Sequence, residues 1–273
     1  MNYYKISITT PSDKRDIVIA LLSESQDFNG FEESEFDIKA FISEEAYDET
    51  AIQELSETWG FSFKSKLIPS QNWNVTWESN FMPIKIGSFC GIRADFHPSF
   101  TDVQYPITIN PKMAFGTGHH ETTLSMIEAM QLIDMSGKAV LDYGCGTGIL
   151  AILASKMGAS TILALDYDPL SYENTSENCQ KNEVENIQII LGELNTVEAS
   201  NFDLILANIN KNVILENLGA LSEKLAINGQ LLISGILQAD EEEVILAAQN
   251  NNLITQSIIY KGEWLAISFY HSQ

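Results

Sequence analysis

The chain has 273 residues, 45% of them apolar, enough to bury a sizeable core and, at roughly one domain per 150 residues, to form two units. Its formal charge of −22 repels nucleic-acid phosphates and suits a basic partner, so direct nucleic-acid binding is not expected. No stretch is apolar for long enough to span a bilayer, the first residues lack a signal-peptide pattern, and Cys90, Cys145 and Cys179 are an odd set without metal-type spacing, so a reducing cytoplasm is expected, without membrane, disulfide framework or structural zinc.

Residues 2–9 alternate polar and apolar as a strand does, and Thr10-Pro11-Ser12-Asp13 then supplies a helix start with proline in the first turn, predicting a helix to about Ser25. Asn29-Gly30 reads as a turn, 30–33 as a short strand, 35–42 as another alternating run, and 45–59 as a helix through Ile52, Leu55 and Trp59. A strand over 61–68 closes the series. The order βαββαβ predicts an α+β, ferredoxin-like domain over residues 1–68. Within residues 24–57, twelve acidic side chains accompany one basic side chain, Lys39, either as a docking face for a basic substrate or as a solubilising surface. Residues 69–83 read as a polar linker, in which Trp73 and Trp77 share a face if helical, for packing between domains or for touching substrate.

Residues 84–109 read as short strands carrying Gly87, Gly91, Pro98 and Pro106. Helix and strand then alternate: helices over 122–134, 149–157, 169–181, 213–225 and 240–250, and strands over 139–143, 161–166, 187–191, 202–207 and 230–234. Strand-like runs at 253–261 and 264–270 can pair antiparallel. This rhythm predicts an α/β, Rossmann-like domain over 84–273, with a mostly parallel sheet, helices on both faces, and its ligand at the carboxyl ends of the strands.

Four segments carry candidate chemistry. In Asp142-Tyr143-Gly144-Cys145-Gly146-Thr147-Gly148, a strand runs into a glycine loop and a helix, so a ligand can approach the backbone of Gly144 and Gly146; a tight structural turn is the alternative. A dinucleotide fingerprint would put its third glycine at position 149, which is Ile, and this counts against a nicotinamide oxidoreductase. The shorter spacing resembles motif I of the S-adenosylmethionine-dependent methyltransferases. Asp166 ends the next strand, where a carboxylate can accept both ribose hydroxyl hydrogens or serve structure alone, while Asp168-Pro169 reads as a helix cap. Asn208 ends a third strand and offers a donor and an acceptor to the methionine portion of a cofactor or to a substrate amine, unless it is only a turn residue. The fourth segment, Ala114-Phe115-Gly116-Thr117-Gly118-His119-His120-Glu121-Thr122-Thr123, suits a loop folding over a ligand. Two adjacent histidines without a matching ligand cluster do not make a metal site.

At these residues the chain resembles the PrmA-type methyltransferases of large-subunit ribosomal protein eleven. The phrase Ala-Phe-Gly-Thr-Gly stands intact at Ala114 to Gly118, ahead of Thr122-Thr123. The likeness continues through the glycine loop, Asp166-Tyr167-Asp168-Pro169, Ala207-Asn208-Ile209, Leu232-Ile233-Ser234-Gly235-Ile236-Leu237 and Gly262-Glu263-Trp264. It implies S-adenosylmethionine as cofactor and a basic ribosomal protein methylated on lysine side chains and the N-terminal amine, with the first domain recognising it. It also implies cofactor positions at Thr123, Gly144, Asp166 and Asn208. Departures occur at Pro111-Lys112, His119-His120-Glu121 and Asn210-Lys211-Asn212, and bear on substrate range, methyl number and rate. The expected reaction is an in-line displacement governed by alignment and desolvation, with Asn208 positioning the amine, Phe115 in the pocket, and no dedicated base evident. Methylation of another protein or a small molecule, and a non-catalytic cofactor-sensing role in ribosome assembly, are the competing functions.

Overall fold

Strand β1 (Tyr3–Thr9) buries Ile6 and Ile8 on one face, and β3 (Ile38–Ser43) answers with Ile38, Ala40 and Ile42, paired across an antiparallel ladder as Ile8↔Ile38 and Ile6↔Ala40. Helix α1 (Arg15–Ser25) closes this face with Val18 and Leu22, four residues apart, and α2 (Glu49–Trp59) with Ile52. With β2 (Phe28–Glu33) and β4 (Ser62–Ile68), the strand order is β2-β3-β1-β4, every neighbour antiparallel. The computed structural model describes residues 3–11, 14–26, 28–33, 38–68, 81–110, 116 and 118–272. Trp73, Trp77 and most of the expected linker lie outside these. The chain divides into two compact units, Met1–Asn80 and Phe81–Gln273.

Three local expectations in the first unit are corrected. Pro11 is not in the first turn of α1; its carbonyl accepts from Lys14 N in a preceding turn at 3.0 Å, and the helix begins at Arg15. Asn29-Gly30 lies inside β2, where a shift of register between Phe28 and Gly30 absorbs the irregularity that the sequence advertised as a turn. Helix α2 starts four residues later than its periodicity suggested because Asp48 caps it, its carboxylate accepting from Thr50 N at 2.9 Å and Ala51 N at 3.4 Å.

The second unit opens with a three-stranded sheet of β5 (Ile84–Ile86), β6 (Cys90–Arg93) and β7 (Tyr105–Thr108), β6 and β7 running parallel. Then come α3 (Glu121–Met130), β8 (Ala139–Tyr143), α4 (Ile149–Lys156), β9 (Thr161–Asp166), α5 (Pro169–Lys181) and β10 (Ile187–Leu191). The series ends with β11 (Phe202–Asn208), α6 (Lys211–Lys224), β12 (Leu225–Leu237), α7 (Glu241–Gln249), β13 (Leu253–Lys261) and β14 (Trp264–His271). Their seven strands form one sheet in the order β10-β9-β8-β11-β12-β14-β13, the first four pairings parallel and the last two antiparallel, so that β14 alone runs against the rest. This is the expected doubly wound α/β architecture. Leu141, Ile205, Ile233 and Phe269 fill its core, and full burial of each such side chain contributes about 1.5–3 kcal/mol. Among the described residues, no helix is long and apolar enough to cross a membrane.

A ladder of asparagines fastens β7 to α5. Asn174, Asn178 and Asn182, at four-residue spacing and all buried, meet the backbone of Thr108 and Asn110 with hydrogen bonds of 2.6–2.9 Å. Asn178 also donates to Thr147 O at 2.9 Å, joining this connection to the glycine loop. Such residues lower helix propensity, which is offset here by satisfying buried backbone groups.

Candidate active site

Parallel registry brings the strand ends to one level. Tyr143 of β8 lies opposite Leu165 of β9 and Ala207 of β11, so the residues that follow, Gly144, Asp166 and Asn208, emerge side by side. Asn208 in turn pairs with Ser234, which precedes Gly235. The strand order reverses between β8 and β11, the switch point where open α/β sheets bind ligands. A cavity of about 570 Å³ opens there, lined by Gly144, Gly146, Asp166 and Asn208 together with His120 and Trp264.

The glycine loop is fixed from beneath. Gly144 N and Cys145 N donate to Leu165 O at 2.8 and 3.0 Å, and Thr147 Oγ1 donates to Gly116 O at 2.6 Å. Gly144 has φ +73°, and a Cβ there would lie 2.2 Å from Ile209 Cγ2. Gly235, with φ +90°, would set a Cβ 2.1 Å from Ile209 O. Two left-handed glycines thus make the notch that seats Ile209, next to Asn208.

Asp166 is buried, its carboxylate accepting from Gly146 N at 2.9 Å and Asp168 N at 3.0 Å. Each oxygen keeps a lone pair for a further donor. Asp168 caps α5 as expected, accepting from Leu170 N at 3.0 Å, with Pro169 in the first turn. Asn208 Nδ2 donates to Thr123 Oγ1 at 3.2 Å, while its Oδ1 is buried without a partner among the described residues. An orphaned amide oxygen invites a donor such as an ammonium. Thr123 is itself fully buried and meets the cavity through Asn208. Phe115 and Thr117 lie outside the described residues.

Sequence reasoning missed Tyr143, Tyr167, Gly235 and Trp264 as lining residues. Gly235 carried a usable signal, a glycine directly after a strand's polar end. The aromatics did not, because aromatic residues at strand ends usually serve packing. His120, expected in a covering loop, caps α3: its Nδ1 accepts from Thr122 N at 3.3 Å and lies 2.8 Å from Thr122 Oγ1, so that nitrogen is engaged with the start of the helix. Burial, with Glu193 and Glu216 adding negative charge, raises the Tyr143 pKa. The cysteines are all free and buried, and burial pushes Cys90 up to about 12 and Cys179 up to about 11, so neither is a reactive thiolate.

Asp142, beneath the loop, is 1% exposed. One carboxylate oxygen accepts from Ala151 N at 3.0 Å and the other has no partner among the described residues. Burial, reinforced by the charge of Asp166, raises its pKa to about 7.

The family model described as "Ribosomal protein L11 methyltransferase (PrmA)" matches residues 6–272. A ribosomal protein L11 methyltransferase of Porphyromonas gingivalis is 39% identical over 261 residues, covering 93% of this chain and 90% of the relative. One from Phocaeicola vulgatus is 37% identical over 279 residues, covering 98% and 99%. Among solved structures, the ribosomal protein L11 methylase of Lactobacillus delbrueckii subsp. bulgaricus aligns with TM-score 0.65 at 28% identity, over 71% of this chain and all of that one. A Pyrococcus furiosus methyltransferase, TM-score 0.53 at 15% identity over 61% and 90%, shares the fold. With a family match over nearly its whole length and relatives above one-third identity, the chain belongs to the ribosomal protein L11 methyltransferase family.

Proposed function

We propose that this chain transfers methyl groups from S-adenosylmethionine to amino groups of ribosomal protein L11, on lysine side chains and the N-terminal amine. The observation that carries it is the alignment of Gly144, Asp166 and Asn208 along one end of the sheet, where all three line the cavity and the buried Asn208 Oδ1 has no partner among the described residues. The residues present fit the cofactor: left-handed Gly144 and Gly146 on the cavity wall, a carboxylate with spare acceptor capacity, and an amide oxygen without a partner among the described residues.

Asp166 holds the ribose hydroxyls, the glycine loop receives the methionine portion, and Thr123 orients Asn208 toward an amine. Phe115 is assigned to the pocket from the resemblance alone. The cofactor supplies an electrophilic methyl group on a positively charged sulfur. The protein's own contribution is to hold the amine in line with that group and to strip it of water, which together supply much of the barrier reduction. The acceptor's proton leaves to water, since His120 is committed as a helix cap.

The first unit is proposed as the substrate-recognition domain, residues 1–68, with 69–83 as linker and 84–273 as catalytic domain. Its βαββαβ order with strands β2-β3-β1-β4 supports a ferredoxin-like reading, and its acidity suits a basic substrate. A ribosomal acceptor places the reaction in the cytoplasm, without direct contact to nucleic acid. The test is incubation with labelled S-adenosylmethionine and ribosomal proteins from a strain lacking this chain, followed by intact mass. Methylene-sized steps on L11, lost in Asp166→Ala, support the proposal. Labelling of another acceptor overturns the substrate assignment, and cofactor binding without transfer points to the non-catalytic alternative.

A further inference from the structure

Asp166 and Trp264 stand at opposite ends of the cavity. From β9 to β14 the sheet crosses β8, β11 and β12, four steps of about 4.8 Å, or roughly 19 Å. If Asp166 takes the ribose and the loop after β8 takes the methionine portion, the acceptor amine lies toward β11, β12 and β14. Trp264 opens β14 and lines the cavity at that end.

The indole is held firmly. The His120 ring meets it edge-on, with centroids 5.1 Å apart and planes at 68°. The preceding turn is strapped to its surroundings: Gln238 donates from its backbone N to Glu263 O at 2.9 Å and from Nε2 to Gly262 O at 2.7 Å. Lys261 pairs with Glu128 of α3 at 2.5 Å. Trp264 itself pairs with Leu237 and Lys261 in the two neighbouring ladders.

A rigid indole face attracts a cation without requiring N–H donors. Each transfer forms an N–CH₃ bond from the nitrogen lone pair and breaks the S–CH₃ bond, whose electrons remain on sulfur as a neutral thioether. The methylated ammonium then releases a proton to water before it can react again. It has fewer N–H groups for Asn208 Oδ1 and more apolar surface for an aromatic wall. We infer that Trp264 is the specificity-determining residue at the acceptor end, where its ring retains an amine that has already been methylated for a further transfer. The inference rests on the proposed amine methyltransferase function.

The test follows the methylation state of L11 by mass against time for the full chain, Trp264→Phe and Trp264→Leu, with binding of S-adenosylhomocysteine measured by calorimetry. For Trp264→Leu the expected result is cofactor affinity within twofold of wild type, KM for L11 raised about tenfold, and a product shifted to the singly methylated form, largely rescued in Trp264→Phe. Unchanged product distribution in Trp264→Leu overturns the inference, as does loss of cofactor affinity in both variants, or a wild type that stops at one methyl. A wild type that methylates no amine overturns the parent function, and is read without reference to either variant.

Discussion

Asn208 and Thr123 are joined by a hydrogen bond of 3.2 Å from Nδ2 to Oγ1, and that bond fixes the orientation of the amide, leaving its buried Oδ1 as the end without a partner among the described residues. Thr123→Val removes the acceptor while conserving shape, so the amide is free to turn its nitrogen where its oxygen stood. Steady-state kinetics should show kcat reduced about tenfold, the effect expected from one misdirected buried hydrogen bond, with Thr123→Ser close to wild type. Equal rates in all three would mean that the bond only packs the helix.

Asp166 holds the glycine loop through Gly146 N, and in the proposed function it also accepts from a ribose. Asp166→Ala should weaken S-adenosylhomocysteine binding about 100-fold by calorimetry, in line with hydrogen bonds to a charged acceptor, with Asp166→Asn intermediate. An unchanged Kd in Asp166→Ala would assign the residue to structure alone.

Asp142 gives the folded protein a pH dependence of definite sign. Its carboxyl retains a proton up to about pH 7, against 3.8 for an ordinary aspartate, because it is buried and near the charge of Asp166. Between these values the folded state binds more protons than the unfolded chain, so stability falls as pH rises from about 4 to 7 and levels off above. At 1.36 kcal/mol per pH unit the loss is about 4 kcal/mol. Urea melts across this range should show that slope in the wild type and its absence in Asp142→Asn; a slope that survives the substitution would place the titration elsewhere.

Asn178→Ala should cost about 2–4 kcal/mol in chemical denaturation, because it leaves Asn110 N and Thr147 O buried without their side-chain partner. Cofactor affinity should fall with it, since Thr147 belongs to the glycine loop. A change below about 0.5 kcal/mol would mean that the ladder is replaced by water.

Much of the second unit was legible because its central strands are mostly apolar and its helices start at clear caps: strands 139–143, 161–166 and 187–191 and helix 169–181, opened by Asp168-Pro169, were read with the boundaries the structure has. Gly144, Gly146, Asp166 and Asn208 were legible for the same reason, as polar or glycine residues at strand ends. Trp264 was not, since only the antiparallel insertion of β14 beside β12 brings it to the cavity, and that pairing is non-local. The asparagine ladder was invisible for a related reason: its partners, Thr108 and Asn110, lie 64–74 residues away. Pro11 and Asn29-Gly30 misled because turn-forming residues mark where a chain is able to bend, and tertiary pairing decides whether it does.

Because β14 lies between β12 and β13, the sheet is completed out of chain order. While a ribosome is still making residues 253–261, that segment has no β14 to pair with, and β12 shows a bare edge to the surrounding solution. Trp264 on the cavity wall and the seal on that edge are delivered by the same stretch, residues 264–271. In a nascent chain, the bare edge of β12 is therefore closed only once residues 264–271 have emerged to pair with it.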